Sequence, residues 1–101
     1  MKTRQSVAIV ISEADNVATA IRELSAGDQV TVRIGEEKRE VEVKGDVRFL
    51  HKFALRDIGK GQSITKYGQI IGEATRHIQK GEHVHIHNLR SLRGRTSSQL
   101  E

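Results

Sequence analysis

Three histidines alternate with apolar residues in the run His83-Val84-His85-Ile86-His87-Asn88. Successive side chains of an extended strand point to opposite faces, so this spacing predicts three imidazoles on one face, with Val84 and Ile86 turned to the core. Imidazole titrates near neutral pH and is the commonest metal ligand. The run therefore indicates metal binding or proton transfer at the surface. The alternative is a polar outer face on a half-buried strand, because no nearby Asp, Glu or Cys has ligand spacing.

Composition describes one small domain with a modest core. The chain has 101 residues, of which 36% are hydrophobic, with two Phe, one Tyr and no Trp. Cysteine is absent, which excludes disulfides and thiolate chemistry and leads us to expect a cytoplasmic protein. No segment approaches the roughly 20 apolar residues of a membrane span, so no membrane association is predicted.

The charge pattern argues against nucleic acid as a partner. The net charge is +4, from 17 basic and 13 acidic residues that are well mixed. Nucleic-acid binders usually combine a basic stripe with aromatic residues for stacking. Basic residues cluster only at Arg90, Arg93 and Arg95, around the start of a tail (91–101) that is rich in Ser and Gly and that we interpret as flexible. Its last two residues, Leu100-Glu101, are typical of the junction with a lost purification tag.

The first half of the chain predicts a strand, a helix and a hairpin. An apolar run within residues 5–13 indicates the strand. Apolar residues at helical spacing then predict a helix over 15–25, which Asp15 or Asn16 would cap and Gly27 would end. Alternating valines on either side of Gly35 predict a hairpin that turns there.

The second half contains an internal repeat. Residues 57–64 and 77–84 share the pattern Ile-x-Lys-Gly-polar-x-apolar, offset by 20 positions. Each copy reads as an apolar anchor, a tight turn at the glycine and a new strand. A further strand is predicted over 66–72. Short strands with frequent glycine turns predict a compact, bent, mainly β structure.

Three blocks of the sequence form one ordered pattern over residues 13–90. They are Asp15–Ala20 with Leu24–Gly27; His51–Ile58 with Gly61 and Lys66–Gly68; and Ile71–Thr75 with Ile78, Gly81 and His83–Asn88. In this order the blocks resemble the small SAF-type domain of the altronate, galactarate and sulfolactate dehydratase family. The combination is specific, although each block alone is weak. Leu50 departs from the pattern, which has a glycine before the His-Lys pair.

The resemblance implies a mainly β, β-clip (SAF-like) fold over residues 1–90 with one N-terminal helix. It also implies a small subunit of a sugar-acid (hydroxy-acid) dehydratase or lyase, inactive alone and completed by a large catalytic subunit. The substrate would be a sugar acid, and the assembled enzyme would use a divalent metal, Fe²⁺ or a similar ion. Isolated from that partner, the chain could form a homo-oligomer.

Elimination beside a carboxylate requires a base to remove the C–H proton, an acid to help the hydroxide leave, and a cation that binds the carboxylate. Several candidates have simpler roles as alternatives: Lys52 as a solvated lysine, Tyr67 as a packing residue, and Asp15 and Asn16 as a helix cap. The candidate residues are His51, Lys52, Tyr67 and His85 for catalysis; His83, His85 and His87 for the metal; and Asp15, Asn16 and Asn88 for substrate binding.

Two other functions remain open. SAF-type domains of antifreeze-like and sialate-synthase proteins imply a non-catalytic carbohydrate-binding or substrate-covering module. The histidine run favours the enzyme, because those relatives do not need it. A nucleic-acid adaptor is supported only by the arginine tail. A gene for a large dehydratase subunit beside this one would favour the enzyme.

Overall fold

The computed structural model describes residues 7–92, which form nine short strands in three antiparallel sheets. The sheets have the strand orders β1-β2-β5-β8, β3-β4 and β6-β7-β9. This confirms the mainly β prediction and is consistent with a β-clip. The strands are β1 Ala8–Ile9, β2 Val17–Ala20, β3 Gln29–Ile34, β4 Glu37–Glu42, β5 Lys52–Ala54, β6 Ser63–Lys66, β7 Gln69–Ala74, β8 His83–Val84 and β9 Leu89–Ser91.

The predicted basic tail lies outside the described residues from Arg93 onward, and β9 ends one residue beyond the predicted domain boundary. Within residues 7–92, no helix is long and apolar enough to cross a membrane.

The helix predicted over 15–25 is wrong. Residues Val17–Ala20 form β2, which pairs with β1 on one side and β5 on the other. All four residues are buried, because the sheet has a core cluster on each face: Ala18 packs in one and Val17 in the other. A strand buried on both faces reads as a continuous apolar run, and tertiary packing overrides its apparent helical spacing.

The predicted hairpin is confirmed. Strands β3 and β4 pair from Gln29↔Glu42 to Ile34↔Glu37, with Gly35 in the turn at φ 64°. The strand predicted over 66–72 is instead part of a second hairpin, in which β6 and β7 join through a turn at Tyr67-Gly68.

One turn geometry occurs four times, and we call its copies the corner turns. Each copy begins with an apolar residue whose backbone pairs with that of the equivalent residue in another copy. Three positions later comes a residue with positive φ, and three positions after that comes a buried apolar residue. The 20-residue repeat in the sequence predicted the third and fourth of these turns. The copies are Leu24-Gly27-Val30, Val47-Leu50-Phe53, Ile58-Gly61-Ile64 and Ile78-Gly81-Val84.

The corner turns associate in two pairs. Leu24 and Val47 exchange both backbone hydrogen bonds at 2.8 and 2.9 Å, and Ile58 and Ile78 do so at 2.8 Å. This places the two halves of the chain in matching arrangements, each with its own apolar cluster.

A side-chain oxygen closes three of the corner turns. Asp28, Gln62 and Glu82, each directly after the glycine, accept a hydrogen bond from the backbone N–H three residues earlier, at 2.7–2.8 Å. The equivalent residue of the second corner turn is His51. Its imidazole instead points to another histidine, which begins the candidate site.

Candidate functional site

Strands β5 and β8 bring the first two histidines together. Phe53 pairs with His83 across these strands, and His51 lies two residues before Phe53, on the same side of the sheet. His51 Nδ1 is 2.9 Å from His83 Nε2, and the rings are stacked with centroids 5.1 Å apart. Because a hydrogen bond needs one donor and one acceptor, these facing nitrogens share a single proton.

His85 joins this pair from the turn that follows β8. Its ring stacks on that of His51 with centroids 3.9 Å apart, and lies 5.6 Å from that of His83. We call His51, His83 and His85 the histidine cluster. His87 lies at its edge, exposed and tilted against His83 at 5.2 Å.

The prediction that the core takes both Val84 and Ile86 is half wrong. Val84 is fully buried, but Ile86 is 83% exposed. The cause is that β8 ends at Val84 and residues 85–88 form a turn, so the alternation of an extended strand stops there. The histidines therefore meet through a turn and a neighbouring strand, with His85 half-buried and His87 exposed, as expected of a surface site.

Asn88 holds this turn. Its side chain is fully buried, where Oδ1 accepts a hydrogen bond from the His85 N–H and Nδ2 donates to the His83 carbonyl, both at 2.9 Å. We predicted that Asn88 binds a substrate hydroxyl. Its amide binds the backbone of His83 and His85, which supports a positioning role in setting the spacing of these two histidines, and substrate contact by Asn88 stays a prediction.

Asn16 makes the same clamp on the preceding repeat. Its Nδ2 donates to the Ser63 carbonyl at 2.9 Å, and its Oδ1 accepts from the Thr65 N–H at 2.8 Å. Ser63 and Thr65 precede His83 and His85 by 20 positions, the offset of the repeat. The clamp is thus a feature of the fold, and only the second copy carries histidines in it.

The Asp15 side chain also binds backbone groups of this chain. One carboxylate oxygen accepts from the N–H groups of Ile11 and Ser12 at 3.3 Å, and the other accepts from Gly68 at 2.8 Å. It therefore ties the loop before β2 to the β6–β7 turn. With the helix absent, the capping role predicted for Asp15 and Asn16 is wrong, and substrate contact by either stays a prediction.

Lys52 and Tyr67 lie on different sheets. Lys52 is half-buried on β5, and burial followed by the positive charge of Lys66 lowers its pKa. Tyr67 is exposed in the β6–β7 turn with φ 53°, and Lys66 Nζ lies 5.0 Å from its ring centroid. The ring contacts of the histidine cluster do not include Tyr67.

Burial favours the neutral forms of His83 and His85. It is the largest cause that lowers the pKa of His83 to about 4, and it also lowers the pKa of His85. The further causes are the repulsion that neighbouring histidines would exert if charged and the positive charge of Lys52. Neutral imidazoles can accept a proton or bind a metal, and the positive charge of Lys52 favours an anionic ligand beside them.

The donor set fits a divalent transition metal. Within the described residues, one ligand atom from each of His51, His83 and His85 lies within 4.8 Å of the others. Ligands at about 2.1 Å from an ion are roughly 3 Å apart, which matches the 2.9 Å between the His51 and His83 nitrogens. The third histidine of this possible ligand set is therefore His51, whereas the sequence predicted His87. Three imidazoles leave coordination positions open.

Similar proteins are known from several bacteria. The chain is 45% identical over 83 residues, 82% of its length, to an altronate dehydratase of Escherichia coli K12, and 40% identical over 83 residues to one of Bacillus subtilis 168. It spans only 16% of each of these proteins. It is 32% identical over 92 residues to the (2R)-sulfolactate sulfo-lyase subunit alpha of Chromohalobacter salexigens, covering 98% of that protein and 87% of this chain.

The family comparison covers the described domain. Residues 6–92 match the altronate/galactarate dehydratase SAF domain, and this segment contains the four corner turns and the whole histidine cluster. The chain therefore belongs to the SAF-domain family of altronate and galactarate dehydratases.

Proposed function

We propose that this chain is the small component of a hydroxy-acid lyase and contributes the histidine cluster to an active site completed by a larger catalytic polypeptide. The observation that carries the proposal is the contact of His51 with both His83, at 2.9 Å between nitrogens, and His85, at 3.9 Å between ring centroids. This arrangement can take up and pass on a proton, as an elimination requires.

The chemistry removes a proton from the carbon beside a carboxylate and breaks a bond on the next carbon. The leaving group departs with the bonding electrons, as hydroxide that is protonated to water, or as sulfite. Neutral His83 or His85 is suited to accept the carbon-bound proton, and the imidazolium that forms is suited to give that proton to the leaving hydroxide, directly or through the His51–His83 contact. Lys52 places positive charge near the cluster for the substrate carboxylate.

The metal prediction is an alternative use of the same nitrogens. With a divalent ion held by His51, His83 and His85, these nitrogens would bind the ion instead of a proton, and the partner would supply the acid and the base. When bound, such an ion supplies the positive charge that stabilises a carboxylate and a developing enediolate.

Three observations support a larger partner. The matched altronate dehydratases are about six times longer than the segment they share with this chain, and the sulfolactate sulfo-lyase relative is named as a subunit. In addition, among the described residues 7–92, the charges that shift the pKa values of His83 and His85 include no acidic residue. A partner would complete the site with carboxylates and further ligands.

The test is reconstitution. The chain is purified alone and together with a candidate large dehydratase subunit from the same genome, and each sample is assayed for water elimination from altronate and galactarate and for sulfite release from sulfolactate. We expect turnover of one acid by the complex and none by the isolated chain. Equal turnover by the isolated chain would contradict an incomplete site. A complex that binds a sugar acid without converting it would favour the non-catalytic binding module.

A further inference from the structure

The second corner turn differs from the others at its centre. Leu50 has φ 69°, whereas the three equivalent positions are glycines. This left-handed conformation is disfavoured for residues with a Cβ, so the chain retains an unfavourable backbone here. The result is two exposed large apolar side chains in a row, Phe49 at 56% and Leu50 at 58%. Strain of this kind is concentrated at functional sites.

A second turn exposes another apolar side chain. Ile86 lies in the turn over residues 85–88 and is 83% exposed. The turn is fixed by the buried side chain of Asn88, so it is held in place and presents Ile86 to the outside.

The two turns flank the histidine cluster. Leu50 directly precedes His51, and Ile86 directly follows His85, while the rings of His51 and His85 stack at 3.9 Å. Exposed large apolar side chains next in the chain to a partly buried polar site are typical of protein interfaces.

We propose that Phe49, Leu50 and Ile86, the apolar rim, form the surface by which this chain binds its larger catalytic polypeptide. The inference rests on the proposed function and adds the docking face to it. Docking on the rim would cover the histidine cluster and exclude water from it.

The length of the relatives and the charge near the site both favour the large polypeptide as the molecule that covers the apolar rim. The altronate dehydratases contain 84% of their length beyond the matched segment, which is ample chain to cover this face. Lys52 pairs with Val84, the residue between His83 and His85, and places a positive charge near them, so the facing surface should carry carboxylates. In a two-fold dimer through this face, a second copy would bring like charges together, so it fits less well.

The test uses substitutions with opposite effects on stability and binding. Leu50→Gly relieves the backbone and removes the apolar side chain. We expect the melting temperature of the isolated chain to rise while the affinity for the large subunit, measured by titration calorimetry, falls about tenfold or more. Ile86→Ser should lower the affinity without changing the melting temperature. The matched control is Ile70→Ser, an exposed isoleucine on β7, which should change neither.

Each outcome decides the inference. An active complex whose affinity is unchanged by Leu50→Gly and Ile86→Ser overturns the docking face and leaves the proposed function intact. An equal loss in Ile70→Ser shows a general effect of apolar area and also overturns it. If sedimentation shows the isolated chain as a dimer that these two substitutions dissociate, the rim belongs to a second copy. Failure of any complex to form would contradict the proposed function itself.

Discussion

At the scale of residues, the site depends on imidazoles that contact one another and are held by a buried amide. His51 and His83 share a proton, and His85 stacks on His51. Asn88 fixes the backbone of His83 and His85. The residues that could react are thus different from the residue that positions them, so substitutions of the two kinds should have distinguishable effects.

Replacing His85 with Ala should leave the fold and remove activity. The half-buried imidazole buries little area, so we expect a stability loss below about 1 kcal/mol. The kcat of the reconstituted enzyme should fall about 100-fold or more if His85 transfers a proton. His77→Ala replaces an exposed histidine directly before the fourth corner turn; it is the control and should affect neither. A large drop in melting temperature with intact activity would instead assign His85 to the core.

Asn88→Ala should disturb both stability and the cluster. It leaves the His85 N–H and the His83 carbonyl without partners, which should cost about 1–3 kcal/mol. The matched variant Asn16→Ala breaks the equivalent clamp and should cost a similar amount. Only Asn88→Ala should shift the imidazole NMR signals of His83 and His85. Equal shifts in both variants would mean that Asn88 has no special positioning role.

The low pKa of His83 makes stability depend on pH. The folded value is about 4 and the reference value is 6.5, so between these the unfolded chain binds a proton that the folded chain does not. The free energy of unfolding should therefore decrease as pH falls from about 6.5 to about 4. Urea titrations across this range should show a smaller decrease for His83→Gln. An unchanged slope would place the effect elsewhere.

At the scale of elements, the corner turns build the fold and the site. Three of them end in a side chain that closes its own turn, whereas the second places His51 there and frees an imidazole for the cluster. The fourth supplies His83 on the strand that follows. The site is therefore built by changing residue types within a repeated element.

Glycine is needed at the corner turns to different degrees. Gly27 and Gly81 both have positive φ, so Ala at either should cost about 1–2 kcal/mol. A Cβ at Gly81 would also collide with the Glu42 backbone carbonyl, whereas one at Gly27 meets nothing within 4 Å. Chemical denaturation should thus show a larger loss for Gly81→Ala than for Gly27→Ala. Equal losses would show that φ alone decides.

At the scale of the whole molecule, net charge should steer assembly. The chain carries +4, and Lys52 places a positive charge near the histidine cluster. The association rate with the large subunit should decrease when salt is raised from about 0.1 M to about 1 M, because the Debye length shrinks from about 10 to about 3 Å. Dissociation should change less if apolar contacts hold the complex. Stopped-flow mixing measures both rates, and a salt-independent association rate would contradict charge steering.

Much of the architecture was predictable from local patterns. Alternating valines around Gly35 predicted the β3–β4 hairpin, and the 20-residue repeat predicted two corner turns. The other two share the apolar-x-x-turn-x-x-apolar spacing at Leu24–Val30 and Val47–Phe53, but Leu50 replaces the glycine that would have revealed the second. The helix prediction failed because Val17–Ala20 is buried on both faces, where periodicity no longer separates helix from strand.

The sequence by itself determined the family and the residue types of the site, since both depend on which residues occur in which order. Tertiary structure alone decided which imidazoles meet. His51 is 32 residues from His83, and strand pairing brings their nitrogens to 2.9 Å. It also turned the chain after Val84 and directed Asn88 inward. The physical reason is that a side chain's surroundings are set by long-range strand pairing and by the competition for burial, which spacing along the chain does not encode.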